Sequence, residues 1–403
     1  MQRNKKRRNS KIRAVCVVGA FILLLPLMSA AVITSAPSAQ IAVLNAAGAS
    51  ARLAAGDVFA LSRLSADGER GLIQDDSEYN QEEQEIYYAY LSFDDSYMLS
   101  FGALDIPSSA NEELYVEDGD YESGPKPYPE SIESRDGVIT TFSFARGVGE
   151  EYISLDKAGQ VRNVTSVSNN ALLRESRQKP EFVIEKNGEP QVLIMHTHTT
   201  ESFEPYARDF FDKSFSSRTT DERMNMVSIG NAIKEELENA GIAVLHDTTM
   251  HDYPSYNGSY DRSRETVKSL LEQYPSIKLV LDVHRDAIER ADGSRVAPVS
   301  NINGKDAAQV MLISGCDNGS MGMPHYMQNF RLASLLQAQM EYDYPTLTRP
   351  LLFDYRKYNQ DLTTGSLLIE VGGHANSIDQ ALYSGTLIGK ALVNALEQLT
   401  IDN

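Results

Sequence analysis

From Pro190 to the C-terminus, short runs too apolar for a protein surface alternate with segments whose apolar residues recur at helical spacing. The runs are QVLIMH at 191–196, IAVLHD at 242–247, KLVLDVH at 278–284, QVMLISG at 309–315, PLLF at 350–353 and SLLIEVG at 366–372. Strands this uniformly apolar belong in a sheet covered on both faces. Between them, Glu222 to Ala240 sets Met226, Ile229, Ile233, Leu237 and Ala240 on one helical face and stops at Gly241. The spacing predicts further helices over 262–274 and 329–341, and Ser377 caps a last one running to Leu399. The alternation predicts an α/β domain over 181–403, a single mixed or parallel sheet with helices on both faces.

The other end of the chain places that domain. Arg3 to Arg13 carry seven positive charges and no negative one, and Ala14 to Ile33 are almost wholly apolar. A run of about 20 apolar residues spans a bilayer as a helix. The basic tail, residues 1–13, then stays in the cytoplasm under the positive-inside bias, and 14–34 form a transmembrane anchor. The expected location is the cell membrane, single-pass, with the rest of the chain extracytoplasmic. A cleaved secretory signal is the competing reading, because small residues follow at Ser35 to Ser38. The net charge is −19 even with the basic tail included, so bulk charge excludes nucleic acid as a partner of the folded part. The two cysteines, Cys16 and Cys316, fall on the anchor and in the domain and cannot bridge within one chain. A packed core, not disulfides, must hold the domain.

Residues 35–136 read as a juxtamembrane and acidic linker, broken by GPKPYPES at 124–131. Residues 137–180 read as a small β-element, because VITTFSF, EYISLD and QVRNVTSV alternate.

In α/β sheets, sites form beyond the carboxyl ends of strands. Three apolar strands here end in residues such strands have no use for: His196-Thr-His198-Thr-Thr-Glu201, His284 in DVHRDA, and Glu370 in LLIEVGG. His198 and Glu201 have the HxxE spacing that lets one turn aim both at a metal, and His284 supplies a third ligand from another strand. Three protein ligands with an open fourth position describe a catalytic zinc site. Either His196 or His198 suits the first position. Glu370 suits the general base. Among the remaining residues, Arg285 could pair with a substrate carboxylate or with a nearby acid. His325 and His374 are candidates for substrate contact, whereas His246 and His251 flank a loop and read as solvated.

IMHTHTTESF at 194–203, LDVHRDA at 281–287, LISGCDNG at 312–319 and YNQDLTTGSLLIEVGGHANS at 358–377 resemble the stage II sporulation protein P family. That family comprises membrane-anchored cell-wall hydrolases of endospore-formers. Its site is similar to that of zinc-dependent N-acetylmuramoyl-L-alanine amidases. The resemblance implies His196 or His198, Glu201 and His284 as zinc ligands, Glu370 as the catalytic residue, and Asn376 as the Asn of a late E-x-G…N motif. It also implies peptidoglycan as substrate, amidase activity with endopeptidase activity on cross-links as an addition, and sporulation proteins D and M as partners during engulfment. The spacing departs from the amidases, which place a longer Gly-rich run between the first His and the Glu. Two other readings share these residues: a zinc carboxypeptidase-type peptidase, which needs an Arg pocket for a terminal carboxylate, and a wall-binding scaffold without catalysis.

Overall fold

The computed structural model describes residues 124–401. The expected anchor at 14–34 and the linker up to residue 123 lie outside the described residues. Among the described residues, no helix is long and apolar enough to cross a membrane.

In chain order the strands are β1 (Gly137–Phe142), β2 (Tyr152–Ser154), β3 (Gln160–Asn163), β4 (Ile184–Glu185), β5 (Val192–Met195), β6 (Phe210–Phe211), β7 (Val244–His246), β8 (Leu279–Asp286), β9 (Arg295–Ile302), β10 (Lys305–Ala308), β11 (Val310–Gly315), β12 (Leu351–Asp354), β13 (Ser366–Gly373) and β14 (Thr400–Ile401). The helices are α1 (Asn169–Ser176), α2 (Met226–Asn239), α3 (Ser259–Gln273), α4 (Tyr326–Asp343) and α5 (Ile378–Glu397).

All six apolar runs are strands of one mixed sheet, ordered β2-β3-β12-β11-β13-β8-β5-β7. Strands β13, β8, β5 and β7 run parallel, and β11 runs antiparallel to β13. Residues alternate between faces along each strand. One face carries Ile194, Leu281, Val283, Leu312 and Ile369 into the main core under α2, α4 and α5. Helices α2 and α5 approach closely at two glycines: a Cβ on Gly385 would lie 3.1 Å from the Ala232 Cβ, and one on Gly389 would lie 2.7 Å from the Glu236 Cβ. The helix starts have local causes. The Asn225 side chain accepts the Val227 N–H, so α2 begins at Met226, later than its apolar spacing predicts. Ser377 and Gln380 form a reciprocal cap at the start of α5.

The opposite face is covered unevenly. Helix α3 packs on Leu193, Met195 and Val280, and Tyr358 lies over Met311, Ile313, Leu352 and Leu368. This is the face on which Asp282, His284 and Glu370 project.

One expectation needs correction. The sheet is not single: β10-β9-β1-β6 form a second, four-stranded sheet. Pro298 breaks the alternation of β9 and hid that strand. The β9–β10 hairpin turns at Asn303-Gly304, whose φ angles of 52° and 81° suit the tight turn that Asn-Gly favours. Residues 137–180 do supply strands, and these join the two sheets: β1 pairs with β9 and β6, while β2 and β3 extend the main sheet beyond β12. The end of the expected linker is docked as well: the Lys126 carbonyl accepts bonds from Thr219 and Thr220, Tyr128 donates to the Phe203 carbonyl, and Ile132 is buried.

Candidate active site

The parallel arrangement of β5, β8 and β13 brings their carboxyl ends side by side. Met195 lies opposite Asp282 in the register, and His284 lies opposite Glu370. Beyond β5 the chain turns across these ends, so His198 and Glu201 come over β8. The His198 and His284 rings stand perpendicular with centroids 5.2 Å apart.

His284 lies between two carboxylates. Its Nδ1 is 3.6 Å from Glu201 Oε2, and its Nε2 is 2.7 Å from Asp282 Oδ1, although off the line of a hydrogen bond. Burial alone would lower its pKa, but Asp282 and Glu201 outweigh burial and raise it well above the usual range. The metal-free ring is therefore held protonated, and it would have to release that proton to ligate a metal ion. Asp282 is itself fixed, accepting from the Thr197 N–H and hydroxyl at 2.8 Å each. Burial opposes ionisation of Glu201, yet Arg285, His284 and Arg218 hold its carboxyl far below the usual range. Glu201 Oε2 accepts the Arg285 backbone N–H at 3.1 Å, and Oε1 lies 3.4 Å from Arg218 Nη2. Burial pushes His198 down to about 3, so it is the neutral imidazole that metal ligation requires.

Glu370 behaves differently. Burial, then the Asp286 charge, push its pKa up to about 8, and its Oε2 is sealed without a hydrogen-bond partner among the described residues. Such an orphan is costly and points to a role other than stability.

Among the described residues, no three acidic, imidazole or thiol groups form a ready-made cation cage. The donors still fit a divalent ion in type and partly in spacing. Two ligand atoms on tetrahedral zinc stand roughly 3.4 Å apart, close to the 3.6 Å between Glu201 Oε2 and His284 Nδ1. With Nδ1 so engaged, Asp282 would orient the ring from behind, the common carboxylate–histidine arrangement. His198 is the looser donor: its nitrogens face the Tyr256 hydroxyl at 3.2 Å and Ser259 Oγ at 3.4 Å.

Several candidates lie elsewhere. His196 has both ring nitrogens engaged, Nδ1 with the Val283 carbonyl at 2.8 Å and Nε2 with His246 Nε2 at 2.9 Å, and neither faces Glu201. Arg285 is spent inside the protein on the Ser202 and Ser217 carbonyls and on Glu201, so it has no fork left for a substrate carboxylate. Asn376 is fully buried and bonds Gly373, Pro298 and Gln380, holding the chain between β13 and α5 rather than facing substrate. His325 is exposed at the start of α4. It follows the carboxyl end of β11, which antiparallel pairing with β13 puts at the opposite end of the sheet from Glu370. His374 is buried against Glu289. His246 and His251 are not solvated: His246 bonds His196 and Asn231, and His251 is buried beside Asp247.

Sequence reasoning missed Asp282, Arg218, Tyr256 and Tyr260. Asp282 was within reach, since two residues before His284 on a strand means the same face. The tyrosines arrive from α3 and the loop before it. Tyr256 stacks on His198 with centroids 4.6 Å apart, and Tyr260 is parallel to His284 at 6.5 Å.

Residues 146–393 match the family model described as Stage II sporulation protein P. A stage II sporulation protein P of Bacillus subtilis (strain 168) is 30% identical over 200 residues, which cover 47% of each chain. The match thus spans about half the length of that curated relative. Among solved structures, the CwlD amidase from Clostridioides difficile in complex with the GerS lipoprotein is 12% identical, with a TM-score of 0.34 over 52% of this chain and 98% of that one. An N-acetylmuramoyl-L-alanine amidase from Clostridium difficile 630 is 15% identical, with a TM-score of 0.31 over 53% of this chain and 97% of that one. The family match covers more than half of the chain and includes every residue gathered at this site. The chain belongs to the stage II sporulation protein P family.

Proposed function

We propose that this chain is a zinc-dependent peptidoglycan hydrolase that cuts the amide bond between N-acetylmuramic acid and L-alanine, and also peptide cross-links, during sporulation. The observation that carries the reading is the juxtaposition on one sheet face of Glu370, its pKa raised and one oxygen unpartnered, with the His284–Glu201 pair. His198, Glu201 and His284 would hold the ion. Bound zinc would supply Lewis acidity toward a carbonyl and toward water. Glu370 takes the proton of the attacking water and returns it to the leaving amine; burial raises its pKa and a bound cation would lower it, and the two opposed effects suit a group that must both accept and donate. The Asp282 carboxylate, 2.7 Å from Nε2, holds the His284 ring by charge from the side away from Glu201. Arg285 and Arg218 keep Glu201 ionised, so it is not the proton carrier.

The same proposal places the domain outside the cell on an anchor at 14–34, with sporulation proteins D and M as partners at the septal wall. The basic tail and apolar run support this. The test is to digest purified peptidoglycan with the protein, with and without chelator, and to identify the products by mass. Intact stem peptides beginning with L-alanine support the reading. Release of terminal D-alanine alone would favour the carboxypeptidase-type reading, and an absence of products in both conditions would favour a scaffold.

A further inference from the structure

The two-residue extension beyond β5 is tied to β8 by side chains instead of by the ladder. Backbone pairing of β5 with β8 ends at Met195 opposite Asp282. The next contact is His196 Nδ1 with the Val283 carbonyl at 2.8 Å, followed by Thr197 with the Asp282 carboxylate at 2.8 Å. His198 and His284 come immediately after these two ties on their respective segments. His196 is wholly buried, and a second ring braces it: His246 of β7 meets its Nε2 at 2.9 Å, edge to face, with centroids 5.1 Å apart. His246 Nδ1 in turn meets the Asn231 side chain of α2 at 3.0 Å. Room for the two rings depends on Gly230, where a Cβ would lie 2.5 Å from His246 Nε2 and 2.8 Å from His196 Nε2.

Hydrogen-bond logic sets the protons. A ring nitrogen facing a carbonyl must carry hydrogen, so His196 is the Nδ1–H form and its Nε2 accepts from His246 Nε2–H. His246 Nδ1 is then an acceptor; Asn231 Oδ1 is the atom placed 3.0 Å from it, so this assignment requires the Asn231 amide turned with its NH2 toward the ring.

We infer that His196 and His246 form a positioning pair, a buried strut that locks the separation of His198 and His284, and that His196 is not itself a ligand. The inference rests on the zinc reading above only where zinc affinity is the readout. A group bonded directly to a metal ligand is worth about 10–100-fold in metal affinity, and the pair acts one contact further out, so about 10-fold, the lower end, is expected. His246→Leu removes the donor to His196, whereas His246→Gln can restore an N–H at the same place.

The experiment uses the full chain with ring-15N histidine, and a chelator competition to obtain the zinc Kd. The metal-free chain is expected to show His196 as a neutral Nδ1–H tautomer whose signal zinc leaves unligated. His246→Leu is expected to weaken zinc about 10-fold, with one ion still bound at saturation and with recovery in His246→Gln. A metal-shifted His196 nitrogen would overturn the inference, as would a Kd for His246→Leu within twofold of wild type. If the chain takes up no zinc, the zinc reading falls on its own. The strut is then decided by the His198 and His284 ring signals of the metal-free chain. It stands if they move in His246→Leu and return in His246→Gln, and fails if they stay in place.

Discussion

Replacing Glu370 by Gln should stabilise the metal-free fold at alkaline pH while abolishing hydrolysis. Gln is a neutral isostere of the protonated acid, so the two chains should be nearly equal in stability in acid. The unfolded Glu titrates near 4.5, whereas burial and Asp286 push the folded group up to about 8. Between these values the unfolded state releases its proton while the folded state keeps it, so wild-type stability falls as pH rises through this window. At about 1.36 kcal/mol per pKa unit the ceiling is roughly 5 kcal/mol. The side chain retains some exposure around the sealed Oε2, so solvent screening reduces the expected gain to about 2–4 kcal/mol by pH 8. For a domain of this size that is on the order of 5–10 °C in Tm. The assay is thermal melting of both chains in chelator at pH 5 and pH 8.5. The Gln variant should melt well above wild type at pH 8.5 and close to it at pH 5. An offset of equal size at both pH values would refute the linkage and mean that Glu370 does not titrate with a raised pKa in the fold. A stabilising change that costs activity is the signature of a group retained for chemistry.

Asp282→Asn keeps the size of the side chain but removes the charge behind His284, so zinc affinity should fall about 10–100-fold, read by chelator competition. Gly389→Leu drives a side chain into Glu236 of α2 and should cost roughly 2 kcal/mol or more, read as a lowered Tm of the full chain. Protease added to intact protoplasts should remove the C-terminal domain while a cytoplasmic control survives; protection of both would reverse the proposed orientation.

Much of the architecture was legible in the linear sequence because its cause is local. A run such as LVLDVH has nowhere to go but the middle of a sheet, and the spacing of Met226, Ile229, Ile233 and Leu237 admits only a helix with one buried face. His198, Glu201, His284 and Glu370 stood out as candidates for a local reason too, each being a polar group at or just past the end of a strand that excludes water, whereas Arg218 and the two tyrosines carry no such mark. What local pattern does not carry is strand direction and the spending of hydrogen bonds. Strand β11 is as apolar as its neighbours, yet it runs opposite to β13, and that reversal alone puts His325 at the far end of the sheet. His196 and His198 are chemically identical two residues apart. Only the folded chain separates them, by bringing the Val283 carbonyl from 87 residues away and His246 from 50 residues away onto one ring, and leaving the other beside Glu201 and His284. Arg285 and Asn376 were withdrawn from the substrate side by the same cause: a buried donor must find its acceptor, and the nearest acceptors were backbone carbonyls that only tertiary packing supplies.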